Sequence, residues 1–243
     1  MLLLAACSAP APVPDGGASL SILTYNVNFE RFDPSTVDAI VAADSDLVFL
    51  QETTAAWEEA IRARLADRYP TILFHPFEPD GGQGVLARVP IDGIERLDSP
   101  VGKFPATRLR AETALGPLDI LHVHLHPPLD ENGLLTGYFT TDGKRWAEVN
   151  RYLEGGVPDV VVGDFNEGEG YALGLLEDAG LHDAASAFPP PVRTWSWQSD
   201  WGELEGRSDH VYLAPSLAPV AVAVREAGAS DHRPLRVVFQ RSR

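Results

Sequence analysis

The sequence predicts an α/β protein in which helices cover two layers of sheet. Three observations predict it. Apolar runs of strand character alternate with runs of helical period along the chain. Several extended runs are paired like hairpins, which fits two layered sheets better than a doubly wound parallel sheet. No break in composition marks a second domain after residue 19.

The chain has 243 residues, of which 44% are hydrophobic and 22% charged, enough for a sizeable core. Its net charge of −16 weighs against a surface that grips nucleic acid broadly. It leaves room for a small phosphate site built around a cation. The single cysteine, Cys7, excludes an intramolecular disulfide and any multi-cysteine metal site.

Residues 1–7, Met-Leu-Leu-Leu-Ala-Ala-Cys, resemble a bacterial lipoprotein signal, whose cysteine is lipidated. The run is shorter than a full signal core and lacks the usual basic lead, so either the true start lies upstream or the match is accidental. Residues 8–18 are a Pro-rich tether. The expectation is a signal and tether over 1–19, a folded domain over 20–243, and an exported protein, secreted or held to a membrane through Cys7. No other stretch is long and apolar enough to span a bilayer.

Leu20 to Asn28 reads as a strand that turns polar at its end. Asp33 then caps a helix with Pro34 at its first position, and Val37, Ile40 and Val41 form its apolar stripe. Asp46 to Leu50 is a strand closing in Gln51-Glu52. The next helix buries Trp57, Ile61 and Leu65. Residues 69–77 are extended, 81–84 a glycine turn, and 85–87 a short strand. Strands over 107–115 and 118–125 are joined by Gly116-Pro117. A loop over 127–142 leads to a helix with Trp146, Val149 and Leu153 inward and Gly155 as its stop. Val160 to Val162 is an apolar strand ending in Gly163-Asp164-Phe165-Asn166. A helix over 173–179 and a Pro- and Trp-rich loop over 188–207 follow. Strands at 211–213, 220–225 and 235–239 close the chain.

Five apolar runs end in a polar signature: Asn26, Glu52, the row His122/His124/His126, Asp164 with Asn166, and Asp209. Ser230-Asp231-His232 stands before the last strand. Strand ends on one side of a layered fold converge, so these groups can share a pocket. Glu52, Asp164, Asp209 and Asp231 are hard oxygen donors, suited to Mg²⁺ or Mn²⁺ rather than Zn²⁺. Histidines beside carboxylates suit acid/base work near neutral pH. A Gly-rich phosphate loop with its Lys is missing, as is a Gly-x-Ser-x-Gly elbow, which argues against a nucleotide kinase and a serine hydrolase.

In order, Leu23-Thr24-Tyr25-Asn26-Val27-Asn28, Leu50-Gln51-Glu52-Thr53, Val123-His124-Leu125, Gly163-Asp164-Phe165-Asn166, Arg207-Ser208-Asp209 and Ser230-Asp231-His232-Arg233-Pro234 resemble the endonuclease/exonuclease/phosphatase superfamily. The resemblance implies a four-layer α/β/β/α sandwich of two mostly antiparallel sheets. It also implies metal-dependent cleavage of a phosphoester. Glu52 would be the main ligand of Mg²⁺ (or Mn²⁺), with Asn26 and Asp231 close to the ion or its waters. Asp164 would orient or deprotonate the attacking water and Asn166 would hold a phosphate oxygen. His232, oriented by Asp209, and His124 would bring protons and positive charge to the phosphate.

The sequence departs from the family pattern at Ser208 and His210, where an apolar and an aromatic residue are usual. His124 fits the family better than His126. Arg108 is either a phosphate contact or an exposed strand arginine. The implied substrate is a nucleic acid, a phospholipid headgroup or a small phosphodiester. Trp195, Trp197 and Trp201 offer a surface for a base or a lipid, or pack as a loop over the sheet. The competing reading is a catalytically silent binding module of the same fold.

Overall fold

A computed structural model describes residues 17–129, 136–137, 140–199 and 202–242. Cys7, most of the tether and Trp201 lie outside the described residues, as does part of the loop expected over 127–142.

Two parallel strand pairs form the centre of the molecule. β1 (Ser19–Asn26) lies parallel to β2 (Leu47–Thr53), and α1 (Pro34–Ala43) makes the crossover between them. The Asp33 carboxylate accepts from Ser35 N–H at 2.8 Å, and Pro34 starts the helix as its fixed φ favours. The first sheet is completed by β3 (Thr71–His75), β4 (Gly82–Ala87), β13 (Leu217–Val224) and β14 (Leu235–Arg241), in the order β13-β14-β1-β2-β4-β3.

The second sheet repeats the plan. Its parallel pair is β7 (Gly116–His124) with β8 (Val160–Asp164), crossed over by α3 (Asp142–Tyr152). β5 (Ile91–Leu97), β6 (Ala106–Thr113), β9 (His182–Asp183) and β12 (Asp209–Leu213) complete the order β5-β6-β7-β8-β12-β9. All pairings in both sheets other than the two crossovers are antiparallel.

Three apolar layers hold this together. Ile22, Leu47 and Phe49 of the first sheet meet Ile120, Val160, Val162 and Val211 of the second. α1 and α2 (Ala55–Leu65) cover the outer face of the first sheet through Val37, Ile40, Trp57, Ile61 and Leu65. α3 and α4 (Tyr171–Asp178) cover the second through Val149, Tyr152, Leu173 and Leu176. The order of layers is therefore α/β/β/α. Central strands buried on both faces read as unbroken apolar runs, as Val160-Val161-Val162 does. Each such side chain contributes about 1.5–3 kcal/mol by leaving water.

Several local expectations are corrected. Gly82 and Gly84 are buried strand residues in β4, not a turn. A Cβ at Gly82 would stand 2.0 Å from His75 O, so glycine lets two strands approach. Trp146 is 44% exposed, and the inward face of α3 is Arg145, Glu148, Val149 and Tyr152. That face is polar because Arg145 Nε donates to Glu167 Oε2 at 2.6 Å, and Glu148 accepts from Ser99 Oγ and His126 N–H. Gly116-Pro117 begins β7 rather than forming the turn. The 188–207 segment contains a hairpin of β10 (Trp195–Ser199) and β11 (Gly202–Gly206).

Candidate active site

β8 brings its carboxylate to the centre through a steric device. Gly163 adopts φ 146°, and a Cβ there would lie 1.9 Å from Val123 O. Only glycine lets β8 pass this close to β7, and the register then sets Asp164 opposite His124. Asn166 lies past the strand end at φ 53°, its N–H donating to Asp164 Oδ1 at 2.9 Å. Its Nδ2 donates to Leu125 O at 2.9 Å, so one amide hydrogen anchors the segment after His124.

Glu52 is re-aimed by a bulge. The pairing of β2 with β4 shifts between Gln51 and Thr53, and Glu52 takes φ 60°. A left-handed glutamate costs about 1 kcal/mol or more, and such strain persists where neighbours enforce it. Here Glu52 Oε2 accepts from Phe29 N–H at 3.1 Å and Oε1 from Asn26 Nδ2 at 2.9 Å. The same Asn26 Nδ2 donates to Asp164 Oδ2 at 3.0 Å. One buried amide thus ties the ends of three strands together.

The last loop completes the group. His232 Nδ1–H donates to Asp209 Oδ2 at 2.8 Å, and Nε2 stands 3.6 Å from Asp164 Oδ2. Asp231 accepts from Asn28 Nδ2 and from Trp195 Nε1, each at 3.1 Å. Thr194 Oγ1 accepts from the N–H groups of Ser208 and Asp209, fixing the start of β12. His124 stacks on Phe104 with ring centres 3.8 Å apart, its Nε2 3.7 Å from Asp164 Oδ2 and 4.0 Å from Glu52 Oε1.

Burial sets the electrostatics. It raises the Asp164 carboxyl, against the pull of His232. It also raises Glu52, partly offset by the bonds from Asn26 and Phe29. Burial drives His124 well below its ordinary value, with His232 adding repulsion, so this imidazole is neutral. Burial alone would lower His232 too, but Asp209 and Asp164 outweigh it and hold an imidazolium. The positive charge expected of His124 therefore rests on His232 alone.

The histidine row divides. His122 is buried between the sheets, edge-on to Phe49, and its Nε2 accepts from Gln51 Nε2 at 2.7 Å. His126 Nδ1–H donates to Pro127 O, and Lys144 Nζ meets its Nε2 at 3.2 Å. Arg108 pairs with Asp119 instead of facing the site. His210 turns to the other side of β12, where its Nε2–H donates to Glu167 O at 2.9 Å. Asn28, Thr194 and Trp195 were not expected to hold the site. Asn28 shares the period-two polar end of β1 with Asn26, a signal that was there to read. Trp195 carries none, since only the folded hairpin brings its N–H to Asp231.

The eight candidates Asn26, Glu52, His124, Asp164, Asn166, Asp209, Asp231 and His232 all lie at this one place. Four are carboxylates, and His232 is the only cation within ion-pair distance of them among the described residues. A buried surplus of negative charge on hard oxygens fits a divalent ion such as Mg²⁺ or Mn²⁺. Asp164, Asp209 and His232 also offer ligand atoms within 4.8 Å of one another. The Nδ1–H bond to Asp209 leaves His232 Nε2 and the Asp164 carboxylate facing the same space.

The sequence pattern of the Endonuclease/Exonuclease/phosphatase family matches residues 23–232. Among curated proteins, none matches the chain by sequence. The fold is similar to D. rerio TDP2 complexed with single strand DNA product: TM-score 0.73, 18% identity, 92% of this chain and 99% of that one. It is similar to the human Nocturnin catalytic domain with bound sulfate anion: TM-score 0.69, 15% identity, 92% of this chain and 95% of that one. An endonuclease/exonuclease/phosphatase from Beutenbergia cavernae DSM 12333 gives TM-score 0.68 at 18% identity, over 92% of this chain and 72% of that one.

Proposed function

The chain belongs to the endonuclease/exonuclease/phosphatase family, and on that premise we propose that it hydrolyses phosphoesters with the help of Mg²⁺ or Mn²⁺. One observation carries this reading: Asn26 joins Glu52 to Asp164 while the His232–Asp209 pair faces the same Asp164 oxygen.

Glu52 and Asp231 would hold the ion. Bound there, it supplies Lewis-acid polarisation of a phosphoryl oxygen and offsets charge building in the transition state. Asp164, fixed by Asn26 and the Asn166 N–H, accepts a proton from the attacking water. Its raised proton affinity suits that task near neutral pH. The His232 imidazolium donates through Nε2 to a phosphoryl oxygen, and Asp209 keeps the ring oriented. His124 adds a neutral N–H donor, and the second amide hydrogen of Asn166 can reach another phosphate oxygen.

The substrate class is read more coarsely. The D. rerio TDP2 relative is complexed with single strand DNA product, which supports a nucleic-acid phosphoester. A phospholipid headgroup and a small phosphodiester remain in the panel that tests it. Hydrolysis of single-stranded DNA, sphingomyelin and bis(p-nitrophenyl) phosphate, with and without Mg²⁺ or Mn²⁺, is the experiment. Metal-dependent turnover of any member supports the reading; silence across the panel makes the chain a binding module. From the N-terminal sequence alone we also infer export and a membrane tether through lipidated Cys7. Labelled palmitate that enters the wild type and not Cys7→Ser would support it.

A further inference from the structure

α3 buries two charged side chains, Arg145 and Glu148, that take no part in the proposed hydrolytic steps. Resting on the hydrolase reading, we propose that Arg145 is a positioning residue of that site. It fixes the segment after His124 against the segment after Asp164, and so places the phosphate-facing amide of Asn166.

The pairing of β7 with β8 ends at His124 and Asp164. Just beyond it, Leu125 N–H donates to Asp164 O at 2.9 Å, and Leu125 O accepts from Asn166 Nδ2 at 2.9 Å. One residue further along, Arg145 takes over as the link. Its Nη1 donates to His126 O at 3.3 Å and to Thr141 Oγ1 at 2.8 Å, while Nε donates to Glu167 Oε2 at 2.6 Å. A planar fork of donors can bridge two chains from one rigid group, which the ammonium of a lysine does not do.

Both ends of this bridge are themselves fixed. Glu148, one turn along α3, accepts from His126 N–H at 2.8 Å, so the helix grips His126 by its N–H and its C=O. Glu167 Oε1 accepts from the N–H groups of Ala172 and Leu173, each at 3.1 Å, at the start of α4.

A buried ion pair is a weak source of stability. Arg145 is 0% exposed and Glu167 2%, and the cost of taking both charges out of water offsets most of their attraction. An apolar pair of similar volume would serve the core as well. It would not set the gap between two chains by bonds of defined length and direction. That gap decides where Asn166 stands. Its amide hangs from Leu125 O, so a splay of the 124–126 segment would draw the amide away from the phosphate or release it. Glu52, in β2, and Asp231, between β13 and β14, lie outside this clamp.

The test is a double-mutant cycle between the clamp and Asn166. Arg145→Met combined with Glu167→Gln removes the ion pair without leaving a lone buried charge. The pair is changed in the wild type and in Asn166→Ala, and kcat/KM is measured on bis(p-nitrophenyl) phosphate at saturating Mg²⁺. The expected loss is roughly tenfold or more in the first background and under about threefold in the second, because the clamp acts through that amide. Any rise in melting temperature in Mg²⁺ should be equal with and without the clamp. Calorimetric affinities of the same four proteins for inorganic phosphate in Mg²⁺ should follow the same pattern without turnover. A substrate panel left unhydrolysed would therefore overturn the hydrolase reading alone, and phosphate would still decide the role of Arg145. Equal losses in the two backgrounds would make Arg145 a structural residue and overturn the proposal. So would wild-type rates in the clamp variant, or a wild type that neither turns over substrate nor binds phosphate. If the paired variant does not fold, Arg145→Lys, which keeps a charge for Glu167 and lacks the fork, goes through the same cycle. It should lose roughly threefold or more in the first background only, and equal losses would again overturn the proposal.

Discussion

His232 and Asp209 share a hydrogen bond of 2.8 Å that leaves Nε2 facing Asp164. Asp209 thereby orients the ring and helps to hold it as an imidazolium, with Nε2–H toward the reacting group. Asp209→Asn removes a charge that holds the imidazolium and can offer its amide N–H to Nδ1, which favours the neutral ring. A loss of roughly a hundredfold or more in kcat is expected, with KM little changed. Single-turnover rates at saturating metal check it, and a loss confined to KM would assign Asp209 to binding.

Glu52→Gln keeps the shape of the side chain and removes its charge. Turnover should fall by about two orders of magnitude or more. The wild type should melt higher in Mg²⁺ or Mn²⁺, and that rise should shrink in parallel in the variant. Scanning calorimetry with and without metal reads the second effect independently of activity. Undiminished metal stabilisation in this variant would move the ion to other ligands.

Gly163→Ala asks whether the crossing of β7 and β8 can yield. The added carbon would sit 1.9 Å from the Val123 carbonyl, between two paired strands of the second sheet. A destabilisation of about 4 kcal/mol or more is expected, or failure to fold. Denaturant titration followed by circular dichroism measures it. A variant within 1 kcal/mol of wild type would mean that the strands can separate at no cost.

Glu148 makes stability depend on pH. Burial pushes its carboxyl up to about 7, only partly opposed by the bonds from His126 and Ser99. The folded carboxyl binds its proton more tightly than the unfolded one, whose ordinary value is 4.5. Its contribution is complete below that ordinary value and is lost as pH rises through about 7. Between pH 5 and 8, wild type should lose on the order of 2–3 kcal/mol more than Glu148→Gln. Urea titrations at the two pH values give the difference, and parallel losses would exclude this carboxyl as the cause.

What the sequence revealed followed from burial. Val160 to Val162 could only be a strand packed on both faces, so the acid after it had to emerge at an edge. The same logic located Asn26, Glu52 and Asp209 at strand ends. The inward face of α3 stayed hidden because Arg145 and Glu148 are polar, and a search for apolar stripes selects Trp146 instead. The β10–β11 hairpin stayed hidden because its Trp, Ser, Gln and Glu residues carry no clear period. The glycines of β4 looked like a turn because their use is to let β4 lie close to the neighbouring β3, and glycine spacing alone does not tell close strand approach from a bend. Asn28 and Trp195 act on Asp231 from far along the chain, and such pairs have no local signature.

The first strand of the domain pairs with the last, and Asn28 meets Asp231 across 203 positions of chain. A chain being made from its amino end therefore lacks Asp231, His232 and the strand that seats them until the last part of this domain has been added. Until then the proposed hydrolytic site would be incomplete, however far the earlier strands had folded.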